Sequence, residues 1–399
     1  MMDNKIVCIK TKVVSPFIHF VISWSIVLLV YGLHWSTLFP NLSTGVSCFF
    51  VCAIIICYVL FQTSKPLLFS FEINEQKTII ILRYCLYLSA LLFFFGFLSI
   101  GSFPLLSFLR GHFSYGEDTY TLPFIHIILF TLSDLCVSVS FLVYRLTKNY
   151  SFLKYTLLFF LPSILFFSRS NVMFNLMYCL LIYLSLSEIS FKYLIKRFFF
   201  LCIGLYFVFL LFGIVGELRS GEHRNSDTWI EQLTLPTQEF KKTGLSPMVL
   251  WGYTYLASPL SNFQNAENKI QSYSSQEDYE VISYHFLPNF LSKRIFPTYE
   301  QKRDLVIPYF TAASVFSDPL LRLGWTGVIY SFIGMISIIF LLYKIKTHNL
   351  FSYLTFLLFS TIVFFNIFSN MYNYMGLSPQ FWVAFIMSLY VKKTKKGFK

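Results

Sequence analysis

One apolar stretch decides how this chain folds: residues 155–187, YTLLFFLPSILFFSRSNVMFNLMYCLLIYLSLS. Its single charged side chain is Arg169. At about 1.5 Å per residue, one helix over this stretch is roughly 50 Å long, well beyond the ~30 Å hydrocarbon core of a bilayer. Both flanks are basic, with Lys154 before and Lys192 after, and basic flanks favour the cytoplasmic side. The pattern therefore predicts a helical hairpin that turns at the SRS tripeptide around Arg169.

The composition extends this interpretation to the whole chain, since 56% of its 399 residues are hydrophobic and only 13% are charged. Apolar runs suited to crossing a membrane recur along it. The ten predicted spans are residues 14–33, 45–61, 79–100, 122–144, 151–168, 171–187, 198–216, 319–343, 350–368 and 374–391. The first span lacks a small-residue cleavage site, which predicts a retained anchor. We therefore predict an all-α polytopic membrane protein with the lipid bilayer as its environment.

The net charge of +12 is explained by topology. Most lysines and arginines fall in alternate connections or at the two ends of the chain, and the short connections between these hold only Arg110 and Arg169. The basic residues at these connections and at the ends are Lys5, Lys10, Lys12, Lys65, Lys77, Arg83, Arg145, Lys148, Lys154, Lys192, Lys196, Arg197, Lys344, Lys346, Lys392, Lys393, Lys395, Lys396 and Lys399. The positive-inside rule then places both termini in the cytoplasm. No nucleic-acid partner is needed to explain the charge.

Three regions follow from this pattern. Residues 1–216 hold transmembrane helices 1–7, residues 217–318 form one large periplasmic loop, and residues 319–399 hold helices 8–10 and a basic cytoplasmic tail. Every cysteine lies outside the loop, so no disulfide is expected there. Ser246-Pro247 predicts the start of an aromatic helix, MVLWGYTYLA, at the membrane interface. The segment PNFLSKRIF predicts a second short amphipathic helix.

Arg169 has two interpretations at this stage. Each arm of its hairpin is short for a full crossing, so the side chain either snorkels to the headgroups or lies at the depth of a lipid phosphate. Arg322, about a turn inside the eighth span, has the same two interpretations.

The segment GELRSGEHRN, residues 216–225, follows the seventh span. It brings together Glu217, Arg219, Glu222, His223 and Arg224. One interpretation is a solvated loop of mixed charge. The other is a diphosphate site in which Arg219 and Arg224 bind the anion and a carboxylate or His223 acts as general base.

Asp134 lies near the middle of the fourth span. An ionisable residue at that depth is a functional candidate, and an interhelical polar contact is the alternative. The spacing of Cys48, Cys52 and Cys57 fits no closed zinc site. The chain has no Asp-x-Asp pair, and its first outward connection, HWSTLFPNLST, contains no acid. We therefore expect neither a metal nor another cofactor.

Several features together resemble the O-antigen polymerases, which join oligosaccharide repeat units in the bacterial inner membrane. These are ten spans, one large outward loop late in the chain, an SRS hairpin tip, and a GxxG at the start of the span after the loop. The segments that carry the resemblance are SRS around Arg169, WGYTYLASPLSNF in the loop, and LGWTGVI, residues 323–329.

The resemblance implies a metal-independent glycosyltransferase that acts on undecaprenyl-diphosphate-linked oligosaccharides at the periplasmic face, with a chain-length regulator protein as a further partner. It implies that Arg169, Arg219, Arg224 and Arg322 bind the diphosphate. The general base stays open among His223, Glu222, Glu217 and other loop residues such as His285. An O-antigen ligase and a lipid-linked oligosaccharide flippase or transporter remain alternatives, although no internal repeat typical of transporters is evident.

Overall fold

The computed structural model describes residues 5–101, 104–109, 123–166, 168–187, 229–270, 278–308, 310–345 and 349–396. It is mostly helical (72%). The helices are α1 (Pro16–Tyr31), α2 (Thr44–Thr63), α3 (Glu75–Ile100), α4 (Pro104–Leu109), α5 (Pro123–Thr147), α6 (Tyr150–Leu165), α7 (Arg169–Ser185), α8 (Trp229–Thr234), α9 (Gln238–Lys242), α10 (Val249–Asn268), α11 (Asp278–Phe286), α12 (Asn289–Ile295), α13 (Ser317–Ile345), α14 (Leu350–Phe365) and α15 (Ser378–Lys396).

Each predicted span except the seventh coincides with one of these helices, and the seventh, residues 198–216, lies outside the described residues. Among the described helices, 4 are long and apolar enough to cross a membrane, namely α2, α3, α5 and α13. Their outward surfaces carry large apolar side chains, such as Ile81, Tyr84 and Leu88 on α3. Such surfaces suit contact with lipid.

The structure contains a small antiparallel sheet that was not predicted, so the all-α prediction is wrong at this point. Strand β1 (Lys5–Thr11) pairs with β2 (Leu67–Ile73). In both strands, buried and exposed side chains alternate. The buried side chains include Val7 and Ile9 on β1 and Phe69 and Phe71 on β2. The short basic segment before the first span looked like a charged tail. Its period-2 alternation becomes a strand signal only once the partner strand is known.

The described connections that contact one another fall into two groups. At one end, Asn149 Nδ2 donates to Glu75 Oε2 at 3.0 Å, joining the turn before α6 to the start of α3. The β1–β2 sheet lies at the same end, since it precedes α1 and α3. At the other end, the Trp35 backbone N–H donates to the Tyr253 hydroxyl at 3.1 Å, joining the α1–α2 connection to α10.

Helix α10 is a core element. It begins at Val249, two residues after the predicted Ser246-Pro247 start, and continues to Asn268. Most of its side chains are buried within the protein, including Leu250, Tyr253 and Phe263, and its position at the membrane interface stays a prediction. It packs against α1 and α13. Its buried side chains include small and polar ones, such as Thr254, Ser258 and Asn262, so the helix is enclosed by protein on more than its apolar face.

Two glycines shape the start of α13, and they are the GxxG of the sequence. Gly324 has φ 63° and ψ −152°, a non-helical conformation that kinks the helix. This backbone region is essentially restricted to glycine. A Cβ on Gly327 would lie 2.5 Å from the Pro319 carbonyl oxygen, closer than packed atoms allow. Both glycines are therefore explained by backbone geometry.

We expect Gly324→Ala to lower the free energy of unfolding by about 1–3 kcal/mol, because a Cβ is strained in this conformation. The matched control is Gly101→Asn, since Gly101 ends α3 in the left-handed conformation, with φ 77°, that asparagine tolerates. Thermal unfolding of the purified variants in detergent compares the two. An equal loss at both positions would contradict the assignment of strain to Gly324.

Candidate functional site

The predicted hairpin turn is present. Helix α6 ends at Leu165 and α7 begins at Arg169, so the chain breaks at the SRS tripeptide. Both arms are short, with 16 and 17 residues. Arg169 is half-buried and occupies the first turn of α7.

Arg169 lines a cavity of about 170 Å³ between α7, α10 and the connection from α14 to α15. The other lining residues are mostly apolar: Ser170, Met173, Phe174, Gly252, Tyr255, Leu256, Phe365, Phe368 and Met371. The cavity is therefore an apolar chamber with Arg169 at its wall. The N-terminus of α7 adds the positive end of a helix dipole beside that cation.

The two serines that flank Arg169 fix the tip. Ser168 Oγ donates to Asn171 Oδ1 at 2.9 Å. Ser170 Oγ and the Tyr374 hydroxyl lie 2.9 Å apart and share a hydrogen bond. Because both neighbours of Arg169 are held, the backbone that carries its side chain has a defined position beside the cavity.

Asp134 of α5 is fully buried and joins three helices. Its Oδ2 accepts from Asn171 Nδ2 at 2.9 Å and from Gln380 Nε2 at 2.8 Å, and its Oδ1 accepts from Asn175 Nδ2 at 2.6 Å. Asn171 and Asn175 belong to α7 and Gln380 to α15. The Tyr178 hydroxyl donates to Gln380 Oε1 at 2.7 Å, which extends the network. The interhelical polar contact that the sequence left open for Asp134 is therefore observed.

Arg322 lies in a separate cluster at the start of α13. Its side chain is 5% exposed, and its Nε donates to Asp318 Oδ1 at 3.2 Å. A terminal nitrogen donates to the Glu300 carbonyl oxygen, and the guanidinium lies 4.2 Å from the centre of the Tyr299 ring. Arg322 does not line the cavity of Arg169. These contacts give it a structural role that ties the large loop to α13.

Tyr299 completes this cluster. Burial, together with the nearby Asp318 carboxylate, raises the pKa of Tyr299 well above its ordinary value. The hydroxyl therefore stays protonated and donates to Asp318 Oδ2 at 2.6 Å. The Lys302 backbone N–H donates to Asp318 Oδ1 at 2.7 Å. Asp318, in the first turn of α13, thus also holds the segment around Lys302.

His285 of α11 is buried, with 2% exposure. Burial lowers its pKa to about 3, so the imidazole is neutral at physiological pH. Asn370 Nδ2 donates to the His285 backbone oxygen at 2.9 Å. A general base must reach the proton that it abstracts. An enclosed ring does not meet this requirement in the observed arrangement, so His285 is a weak candidate for the base.

The remaining predicted site residues, Glu217, Arg219, Glu222, His223 and Arg224, lie outside the described residues. Their roles stay predictions. The structure thus brings Arg169 and Asp134 together through α7 and places Arg322 apart from them.

Sequence reasoning missed the amides that surround Asp134. Asn171 and Asn175 were read as parts of an apolar span, although their i, i+4 spacing puts both on one face of α7. Gln380 is a buried amide in α15. The polar connection from α14 to α15 was also missed, although it holds three buried asparagines, Asn366, Asn370 and Asn373. Polar amides inside apolar runs were the available signal.

The helix content, the four long apolar helices and the buried polar network define this chain as a helical membrane protein. Comparison with known proteins gave no match: no family profile, no curated protein and no solved structure is detectably similar to it.

Proposed function

We propose that this chain polymerises polyprenyl-diphosphate-linked oligosaccharide repeat units into O-antigen or a related surface polysaccharide at the periplasmic face of the bacterial inner membrane. The observation that carries the proposal is the half-buried Arg169 at the wall of an otherwise apolar cavity. A lipid diphosphate combines an apolar chain with a compact anion, and this cavity combines an apolar wall with a cation.

The proposed reaction explains why a cation is needed there. The acceptor sugar hydroxyl attacks the anomeric carbon of the donor, the anomeric C–O bond to the diphosphate breaks, and the lipid diphosphate leaves. Negative charge develops on the leaving oxygen, and a prepositioned guanidinium stabilises it. The attacking hydroxyl loses its proton to a general base, for which Glu217, Glu222 and His223 are the proposed residues.

Part of the large loop lies at the Arg169 cavity, close enough to take part in the proposed reaction. Gly252, Tyr255 and Leu256 of α10 form one wall of the cavity. The same helix is joined to the α1–α2 connection, since the Ser43 backbone N–H donates to Gln264 Oε1 at 2.7 Å. The large loop and the hairpin tip therefore both line the Arg169 cavity, which supports a glycan site at the end of the bundle where they meet.

The topology of ten spans, with both termini in the cytoplasm, is part of the proposal. The division of the contacting connections into two groups supports it, because the connections predicted to face outward are those that contact one another. Lys12 supports the assignment of the bundle end that carries the β1–β2 sheet to the cytoplasmic side. Its Nζ donates to the Gln62 carbonyl oxygen at 3.3 Å, near the end of α2.

A reporter that is active only in the periplasm should be active when fused at Ser274 and inactive when fused at Thr347. The physical reason is the positive-inside rule applied to the basic connections. Reporter activity normalised to fusion abundance is the measurement. The reverse pattern would place the large loop in the cytoplasm and remove the site from the proposed face.

Deletion of the gene tests the function itself. A gel of cell-surface glycolipid should lose its ladder while a single repeat unit stays on the core. Loss of every repeat unit from the core would instead indicate the ligase, and loss of lipid-linked units from the periplasmic leaflet would indicate the flippase. An unchanged ladder would contradict both glycosyltransferase assignments.

A further inference from the structure

We propose that Asp134 is a positioning residue for Arg169, an inference that rests on the proposed function of the Arg169 cavity. The link runs through two hydrogen bonds. Ser168, directly before Arg169, donates its hydroxyl to Asn171 Oδ1 at 2.9 Å, and Asn171 donates its amide to Asp134 Oδ2 at 2.9 Å. Asp134 itself does not line the cavity.

The same carboxylate also fixes the opposite side of the tip. Gln380 Nε2 donates to Asp134 Oδ2 at 2.8 Å and to the Gly376 carbonyl oxygen at 2.7 Å. Gly376 follows Tyr374, whose hydroxyl is bonded to Ser170 on the far side of Arg169. Asp134 is therefore the common anchor of the two segments that hold the residues on either side of the guanidinium.

Close packing at Gly376 shows how tightly this arrangement is built. A Cβ at that position would lie 3.2 Å from Asn171 Oδ1 and 2.6 Å from the Tyr374 ring. The α14–α15 connection thus lies directly against the Asn171 amide. A shift of Asn171 would move the connection that forms the cavity wall at Phe368 and Met371.

The cost of the network indicates a purpose beyond packing. A carboxylate inside a membrane-spanning bundle is expensive even when it is hydrogen-bonded. Apolar side chains at the same positions would join α5, α7 and α15 without that cost. They would leave Ser168 without its partner amide, so the tip would lose its fixed geometry. A misplacement of about 1 Å lowers the rate of an oriented reaction by about a hundredfold.

The acceptor pattern predicts which substitutions are tolerated. Oδ2 accepts from Asn171 and Gln380, and Oδ1 accepts from Asn175; the Ser163 side chain also hydrogen-bonds to this carboxylate. In Asp134→Asn, the remaining carbonyl oxygen takes the place of Oδ2, and Asn175 turns its amide over to accept from the new amide. Asp134→Leu provides no acceptor. The two variants therefore separate hydrogen bonding from side-chain volume.

The test is a double-mutant cycle on the purified full-length protein in detergent, with farnesyl diphosphate as the probe and farnesol as the control ligand. Asn171→Ala should weaken farnesyl diphosphate binding about tenfold or more in the wild-type background. It should have no further effect in the Arg169→Ala background, because it acts only through Arg169. Farnesol binding should fall far less than farnesyl diphosphate binding, and the midpoint of thermal unfolding should fall equally in both backgrounds, because Asp134 loses one buried donor in each. Asp134→Asn should keep most of the affinity, and Asp134→Leu should behave like Asn171→Ala.

Equal losses from Asn171→Ala in both backgrounds, or an equal loss of farnesol binding, would overturn the positioning role. So would an Asp134→Asn variant as weak as Asp134→Leu. If Asp134→Leu does not fold, the Asn171→Ala cycle decides alone. Failure of the proposed function has a different signature, namely unchanged farnesyl diphosphate binding in Arg169→Ala itself. If Arg169→Ala weakens binding and Asn171→Ala does not, only the positioning inference fails.

Discussion

Arg169→Ala should lower polymerisation by a factor of about 10² to 10³, which is typical for removal of one donor to a developing anion. Membrane abundance should stay normal, because one residue at a hairpin tip contributes little to spans anchored by basic flanks. Arg169→Lys should recover only part of the activity, since an ammonium keeps the charge and loses the two-pronged geometry that matches phosphate oxygens. Surface-glycan ladders together with immunoblots of the membrane fraction are the measurement.

The matched control is Arg294→Ala, because Arg294 is an exposed arginine on α12 in the large loop and does not line the cavity. It should leave the ladder unchanged. If Arg169 only snorkels to the headgroups, lysine will serve as well as arginine, and alanine will act through abundance. A full-length ladder from Arg169→Ala at normal abundance would end the functional assignment of this residue.

Arg322→Leu should lower the free energy of unfolding by about 3–5 kcal/mol, because it leaves the Asp318 carboxylate buried without its cation. The Arg322 and Asp318 side chains are only 5% and 15% exposed. The double variant Arg322→Leu with Asp318→Asn should recover most of the loss, since the uncompensated charge is gone. Thermal unfolding in detergent without any lipid ligand is the measurement.

This experiment also decides between the two roles of Arg322. A structural role predicts loss of stability and recovery in the double variant, with farnesyl diphosphate affinity retained wherever the protein is folded. The predicted diphosphate role requires the opposite: normal stability of Arg322→Leu and lost binding of farnesyl diphosphate. Such a result would support the predicted role of Arg322 in diphosphate binding.

Much of the architecture could be read from the order of residues. Hydrophobic run length places the helices, since each apolar run must satisfy its own backbone hydrogen bonds and does so as a helix. The break at SRS around Arg169 followed from two basic flanks that one straight helix would not place on the same side. The short amphipathic helix α12 was also predicted within its limits.

Local pattern is less informative where a segment depends on a distant partner. The strand β1 pairs with a segment about 60 residues later in the chain, in the register Lys5 with Ile73, and strand pairing at such separation has no local signal. The helix α10 looked interfacial because its aromatic residues suit either a headgroup region or a core. Its contacts with α1 and α13 became known only from the tertiary structure.

The sequence by itself determined that this is a helical membrane protein with a charged hairpin tip, because run length and charge position are properties of the chain alone. Only the tertiary structure decided what that tip is attached to. Asp134 and Gln380 are 246 positions apart, yet a single carboxylate oxygen joins Gln380 to Asn171. Hydrogen-bond geometry depends on distance and angle between side chains, and those are set when the helices pack.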